Sequence, residues 1–383
     1  MPNPRRRSRA LLAALIGIGL AAGTGGAIGE WWLRRQEGPA PMRWGWRDPF
    51  AEHGRRPPAE LNQLGYRGQK IEYGPDDLVV LLVGDSQVQA DACPFAAMPE
   101  RRLEAHLRAA SGRHVRVFSV GALGYGTDQE CLALDDYLAR HRADIVVTWL
   151  TTGNDPREVL LPVAPVPKPT FWLEGDRLCG PLARIGDPVP HGLRLWQRLR
   201  DWWRGDFNEY WHRHVLPPVA APLPVDEAQA RTDWGWFDKS VRGPQAAQDF
   251  RREFLGVLAQ IDPPSPRAVY ATTLIQRLLQ RMRAVTEAQG GVFRVLVDER
   301  SDATLPDGLY ETTAGDQRLR LRLTRRAFDA NLARMTADLD VARIPVTVET
   351  WAASADDPHL NAAAVDQVMH DLASELVRTM PKR

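Results

Sequence analysis

Five short runs rich in Val, Ile and Leu constrain this chain most: Leu78 to Val83, Val115 to Val120, Ile145 to Leu150, Val292 to Val297 and Pro345 to Val348. Continuous apolar runs of this length suit strands buried on both faces. Between and after them lie segments with helical spacing: Pro99 to Ala110, Thr127 to Arg142, Ala246 to Ile261, Leu274 to Gln289, Thr324 to Ala342 and Asn361 to Met380. Strands that alternate with helices predict an α/β fold, a parallel sheet covered by helices on both faces. In such folds ligands sit at the carboxyl ends of the strands, so chemistry is sought there.

The N-terminus predicts export. Arg5, Arg6, Arg7 and Arg9 precede an uncharged run from Ala10 to Gly29, and Trp31 and Trp32 follow where a membrane interface would lie. At about 1.5 Å per residue the run reaches roughly 30 Å, enough for a transmembrane helix. The small residues Ala21, Ala22 and Gly23 leave a cleaved signal peptide as the alternative. Either way the arginines stay cytoplasmic and the rest of the chain lies outside, periplasmic or extracellular. The expected organisation is a basic tip and signal anchor over 1–35, a Pro/Gly/Arg/Trp-rich juxtamembrane linker over 36–58, and a folded domain over 59–383.

One segment breaks the alternation. Residues 156–244 are rich in proline and hold seven of the thirteen tryptophans, which marks an insertion. Within it Leu195, Leu199, Trp202 and Trp203 repeat at helical spacing beside Arg194, Arg198, Arg200 and Arg204. Three roles stay open: a stripe packed on the main domain, a membrane-surface helix, or an aromatic wall for a sugar. With 49 basic against 48 acidic residues, no overall field favours nucleic acid as a partner. Cys93, Cys131 and Cys179 lack metal-site spacing, and are read as reduced thiols with a single disulfide as the alternative.

Four elements carry candidate chemistry. The first strand runs into Gly84-Asp85-Ser86, a sharp turn that exposes a hydroxyl; an Asp-capped helix start is the plainer account. After the second strand, glycines in Ser119 to Gly126 let backbone approach a ligand, and Gly124 offers an N–H to an oxyanion or simply makes a turn. After the third, Thr151-Thr152-Gly153-Asn154-Asp155 places an amide at a strand end, as an oxyanion donor or as an Asx turn. Near the C-terminus, Asp356-Asp357-Pro358-His359 sets a carboxylate three residues before an imidazole, where it can fix the tautomer and leave the other ring nitrogen to accept a proton from serine.

These four blocks, in this order from about Leu61 to the C-terminus, resemble those of the SGNH, or GDSL-like, hydrolase superfamily. The resemblance implies a flavodoxin-like three-layer fold with five parallel strands, no metal and no cofactor. It implies Ser86 as nucleophile, an oxyanion hole from the Ser86 N–H, Gly124 and Asn154, His359 as base and Asp356 as its orienting carboxylate, with Asp357 the alternative. The chain departs from the usual blocks in three places: Gly153 directly precedes Asn154, Ser119 stands where asparagine is common, and His359-Leu360-Asn361 replaces His-Pro-Asn. The expected activity is ester hydrolysis or O-acyl transfer on an acyl ester, with acetyl esters of a polysaccharide or cell-wall glycan foremost. A membrane lipase or thioesterase and a non-catalytic envelope scaffold are the alternatives.

Overall fold

The computed structural model describes residues 23–32, 56–160, 168–181, 211, 214–217, 230–231, 255–300, 306–314, 317–354 and 357–379. Strands are β1 (Leu78–Gly84), β2 (Val115–Gly121), β3 (Ile145–Trp149), β4 (Trp172–Glu174), β5 (Arg177–Cys179), β6 (Ala230–Arg231), β7 (Val292–Glu299), β8 (Gly308–Ala314), β9 (Gln317–Leu323), β10 (Val341–Pro345), β11 (Ala352–Ser354) and β12 (Asp357–Leu360). Helices are α1 (Ser86–Gln89), α2 (Pro99–Ser111), α3 (Thr127–Leu138), α4 (Asp155–Glu158), α5 (Pro266–Ala288), α6 (Arg325–Met335) and α7 (Ala362–Thr379). Residues 23–32 are also helical.

Five strands form one sheet in the order β10-β7-β3-β1-β2, all neighbours parallel. Numbered along the chain within the sheet this is the 2-1-3-4-5 order of flavodoxin-like folds, whose direction of winding reverses between β1 and β3. Period-two geometry explains why β1 is apolar at every position from Leu78 to Val83: Val79, Leu81 and Val83 enter one core while Leu78, Val80 and Leu82 enter the other. The first core is filled by α3 and α5 (Leu134, Tyr137, Ile275, Leu278). The second is filled by α2 and α7 (Leu103, Leu107, Val368, Leu372). Three layers result.

Four of the five expected strands stand where the apolar runs lie; the fifth does not. It is β10, Val341–Pro345, rather than 345–348. As an edge strand it buries only Ala342 and Ile344, so it alternates with Arg343 instead of forming an apolar run. The expected helix from Thr324 to Ala342 therefore stops at Met335, with Asp338 turning the chain at φ 61°. A hairpin, β8–β9, with β6 beside β8, forms a separate small sheet not anticipated from the sequence.

The candidate helix around Leu195 to Trp203, most of the Trp-rich segment and residues 246–254 lie outside the described residues. So do residues 10–22 of the expected span. Ile28, Trp31 and Trp32 are exposed, and among the described residues no helix is long and apolar enough to cross a membrane. Cys93, Cys131 and Cys179 are all free thiols.

Candidate active site

Because β1, β2 and β3 are adjacent and parallel, the turns that leave them meet at one edge of the sheet. β1 ends at Gly84, and α1 begins at Ser86. The turn is tight: a Cβ on Gly84 would lie 2.5 Å from Val88 Cγ2, and one on Gly121 would lie 2.7 Å from Val88 Cβ. Glycine at both positions lets α1 lie directly on β1 and β2. Asp85 does cap α1, its Oδ1 accepting from Gln87 N at 2.9 Å, so the plainer account of this residue holds without excluding work for Ser86.

Asp85 also bridges the point where the winding reverses. Its Oδ2 accepts from Asn154 Nδ2 at 2.7 Å and its Oδ1 from Thr151 Oγ1 at 3.2 Å. Asn154 is thus neither an Asx turn nor a side-chain cap of α4; its amide is aimed across the sheet toward the base of the serine turn. An amide nitrogen carries two hydrogens, and one remains for a ligand above Ser86. On the other side, Gly124 sits at φ 75°, a backbone state that favours glycine. The turn before it is pinned to α1 by Gln89 Oε1, which accepts from Leu123 N.

His359 arrives on β12, paired with β11 in a two-stranded hairpin. Its loop docks on the serine turn, where Leu360 N donates to Gln87 Oε1 at 3.3 Å and the Cys93 thiol approaches Leu360 O at 3.5 Å. From the far side Arg300, paired with Asp298 and lying over the Trp351 ring at 5.0 Å, donates to Pro358 O at 2.9 Å. Asp298 is itself held by Trp149 Nε1 at 2.9 Å. Ser86, Gly124, Asn154 and His359 are all half-buried, while Asp85 beneath them is fully buried. Four half-buried groups thus lie over a fully buried carboxyl.

The carboxylate on His359 is that of Asp357: Oδ1 lies 2.5 Å from Nδ1 and also accepts the His359 backbone N–H at 3.1 Å. The sequence pattern put Asp356 in this role, and Asp356 lies outside the described residues. Strand geometry accounts for Asp357. Residues two apart on β12 share a face, whereas a spacing of three needs a turn between them. Despite partial burial, the hydrogen bonds and charge of His359 hold Asp357 below the usual carboxylate range. With Nδ1–H donated to Asp357, Nε2 is left as the proton acceptor.

Sequence reasoning missed what lies under the site. Asp85, Asp128, Glu130 and Asp155 are all fully buried. Burial pushes Asp85 up, opposed by its hydrogen bonds from Asn154, Gln87 and Thr151 and by the charge of His359. Glu130 is pushed up by burial and then by the charges of Asp155 and Asp85, and among the described residues neither of its oxygens has a hydrogen-bond partner. Asp155 rises by burial and by Asp85, although Thr151 N donates to it at 2.8 Å. Asp128 is pushed up by burial too, against Lys168, whose buried ammonium holds both of its oxygens at 2.7 and 2.8 Å. Burial thus disfavours the charged form of all four carboxyls, and at Asp128 the Lys168 ammonium opposes it. Asp128, Glu130 and Asp155 stand in the first turns of helices, and nothing local in the sequence shows that they are buried. Among the described residues no cluster of His, Cys, Asp and Glu could hold a metal.

No family model and no curated protein matches the chain. Solved structures do, distantly. TesA is 15% identical over 78% of this chain and 97% of its own, at a TM-score of 0.35. A putative arylesterase from Agrobacterium tumefaciens is 14% identical over 79% and 99%, also at 0.35. Est24, a carbohydrate acetylesterase from Sinorhizobium meliloti, is 12% identical over 79% and 99%, at 0.32. Likeness of this degree carries no argument about activity, which is built below from the residues.

Proposed function

We propose that this chain is a serine ester hydrolase or O-acyltransferase of the SGNH type, acting outside the cytoplasmic membrane. The observation that carries the proposal is the convergence of Ser86, Gly124 and Asn154 at the ends of three adjacent strands, with His359 docked beside them and a carboxylate on its Nδ1.

In this reading His359 Nε2 takes the proton of Ser86 Oγ as the oxygen attacks an ester carbonyl. The tetrahedral oxyanion is met by the N–H groups of Ser86 and Gly124 and by the second hydrogen of Asn154 Nδ2. Asp357 supports the imidazolium. The leaving alcohol departs with the proton from His359, and the acyl group stays on Ser86. Water, or an acceptor hydroxyl, then gives its proton to His359 and takes the acyl group, and as the bond to Ser86 Oγ breaks His359 returns that proton to the oxygen. Water makes the chain an esterase and a sugar hydroxyl makes it a transferase. No step needs a metal or cofactor.

Export rests on the basic tip, apolar run and Trp pair of the N-terminus. Acetyl esters of an exported polysaccharide fit that location and the Trp-rich segment between β3 and α5. A fluorophosphonate probe on the detergent-solubilised chain tests the nucleophile: labelling that is lost in Ser86→Ala and His359→Ala supports the reading, and an unlabelled folded wild type overturns it. Esters of graded acyl length then separate an acetylesterase from a lipase.

A further inference from the structure

The segment before β1 contributes no catalytic group, yet it reaches the back of the nucleophile helix. Arg67 is buried, 5% exposed. Its guanidinium donates to the backbone carbonyls of Gln89 at 3.1 Å, of Ala90, and of Cys93 at 2.9 Å. Those carbonyls end α1 and form the turn that follows, in which Ala90 is left-handed at φ 49°. A cation at a helix C-terminus is well placed, and only the planar fork of arginine serves several acceptors at once. Glu60 and Asp91 flank the guanidinium at 3.5 and 3.9 Å, so its charge is balanced without leaving the carbonyls.

Arg67 is fixed in turn. Its own carbonyl accepts from Ser119 Oγ on β2 at 3.0 Å, and Asn62 Nδ2 donates to Ser119 O at 2.9 Å. α1 is a single turn, closed by Ala90 N donating to Ser86 O at 2.8 Å. Whatever moves its carbonyl end moves Ser86. The side chain of Gln89, on the same turn, holds Leu123 N and so the approach to Gly124.

We propose that Arg67 and Gln89 are positioning residues for acyl transfer: Arg67 clamps the carbonyl end of α1, and Gln89 locks α1 to the turn before Gly124, so that Ser86 Oγ and the Gly124 N–H stay in register. The proposal rests on Ser86 being the nucleophile. A misplacement near 1 Å costs roughly a hundredfold in rate, and loosening either tie permits a shift on that scale.

The test uses the full chain in detergent, with fluorophosphonate titration to count reactive serines and p-nitrophenyl acetate to follow acylation. Gln89→Met removes the acceptor at similar volume and Gln89→Glu retains one; Arg67→Met removes the fork and Arg67→Lys keeps only charge. Gln89→Met and Arg67→Met are expected to titrate one serine per folded chain, acylate about 10- to 100-fold more slowly, and keep the half-saturating ester concentration within about threefold. Gln89→Glu should retain most of the rate, with Arg67→Lys intermediate. A purely structural role would instead lower the number of titratable serines and leave the rate per serine unchanged, and that result overturns the proposal. So does a Gln89→Met rate per serine within twofold of wild type, which decides the matter even if Arg67→Met fails to fold. Failure of the nucleophile reading looks different, since the wild type itself would then take up no probe.

Discussion

Replacing Glu100 with glutamine should flatten the pH dependence of stability, and the reason is a count of protons. Glu100 starts α2 and is fully buried. Oε1 accepts from Gln69 N, and Oε2 lies 2.8 Å from Ser119 Oγ. Ser119 also reaches the Arg67 carbonyl at 3.0 Å. A hydroxyl has one hydrogen and a carbonyl has none, so when Ser119 donates to Arg67 the proton between Ser119 and Glu100 must come from Glu100. A protonated Glu100 lets both contacts of Ser119 be hydrogen bonds. Burial pushes Glu100 from 4.5 to about 8, against its hydrogen bonds with Gln69 and Ser119 and the charge of Arg101, with Glu104 adding to the rise. Between those values the folded chain keeps a proton that the unfolded chain has lost. Stability is therefore full below about pH 4.5, falls as pH climbs, and levels off above about 8. A rise from 4.5 to about 8, at about 1.4 kcal/mol per unit, amounts to about 5 kcal/mol. Glu100→Gln keeps the shape, accepts from Gln69 and donates a permanent N–H to Ser119. Equilibrium denaturation at pH 5, 7 and 9 should show near-equal stability at pH 5 and a variant more stable by several kcal/mol at pH 9. Parallel pH profiles, or a variant weaker at pH 9, would refute the proton count.

Asp357→Asn should lower kcat for a short-chain ester by about a hundredfold or more, as loss of acid–base support does, while Asp356→Asn stays near wild type; steady-state kinetics showing the reverse order would return the role to Asp356. Lys168→Met should cost about 3–5 kcal/mol by leaving Asp128 buried without its cation, and Asp128→Asn added to it should recover much of the loss in thermal melts. Gly121→Ala would place a Cβ 2.7 Å from Val88 Cβ and 3.0 Å from the Asp85 carbonyl; displacing α1 should cost about 1–3 kcal/mol and slow fluorophosphonate labelling, and labelling at the wild-type rate would show that α1 tolerates the shift.

The central strands were legible because burial on both faces leaves no alternation to misread. Where one face is open the reading failed: Val341 and Ala342 passed for the end of a helix with the strand placed from Pro345, and Leu319 to Leu323 went unread although Leu321 and Leu323 are buried and Arg322 between them is exposed. That period of two was the available signal. Ser86, Gly124 and Asn154 stand out in the sequence because each follows the end of an apolar strand, and His359 because it stands shortly before the final helix. Asp85 bridging to Asn154, the buried carboxyls beneath, Lys168 on Asp128 and Arg67 behind α1 were not legible, since each joins residues dozens of positions apart. Asp357 shares a face of β12 with His359 and meets its Nδ1, whereas Asp356 lies outside the described residues.

The two halves of the site are secured differently, and this bears on how the protein would lose activity. Ser86, Gly124 and Asn154 leave strands of the central ladder, with β1 hydrogen-bonded on both sides. His359 stands on a two-stranded hairpin held by Gln87, Arg300 and a few backbone contacts. Small units of this kind open at lower free energy than the core. In mild denaturant the base should swing away while the sheet stays intact, so catalysis fades ahead of global unfolding and returns at once on dilution. The chain would then idle reversibly, with Ser86 still in place.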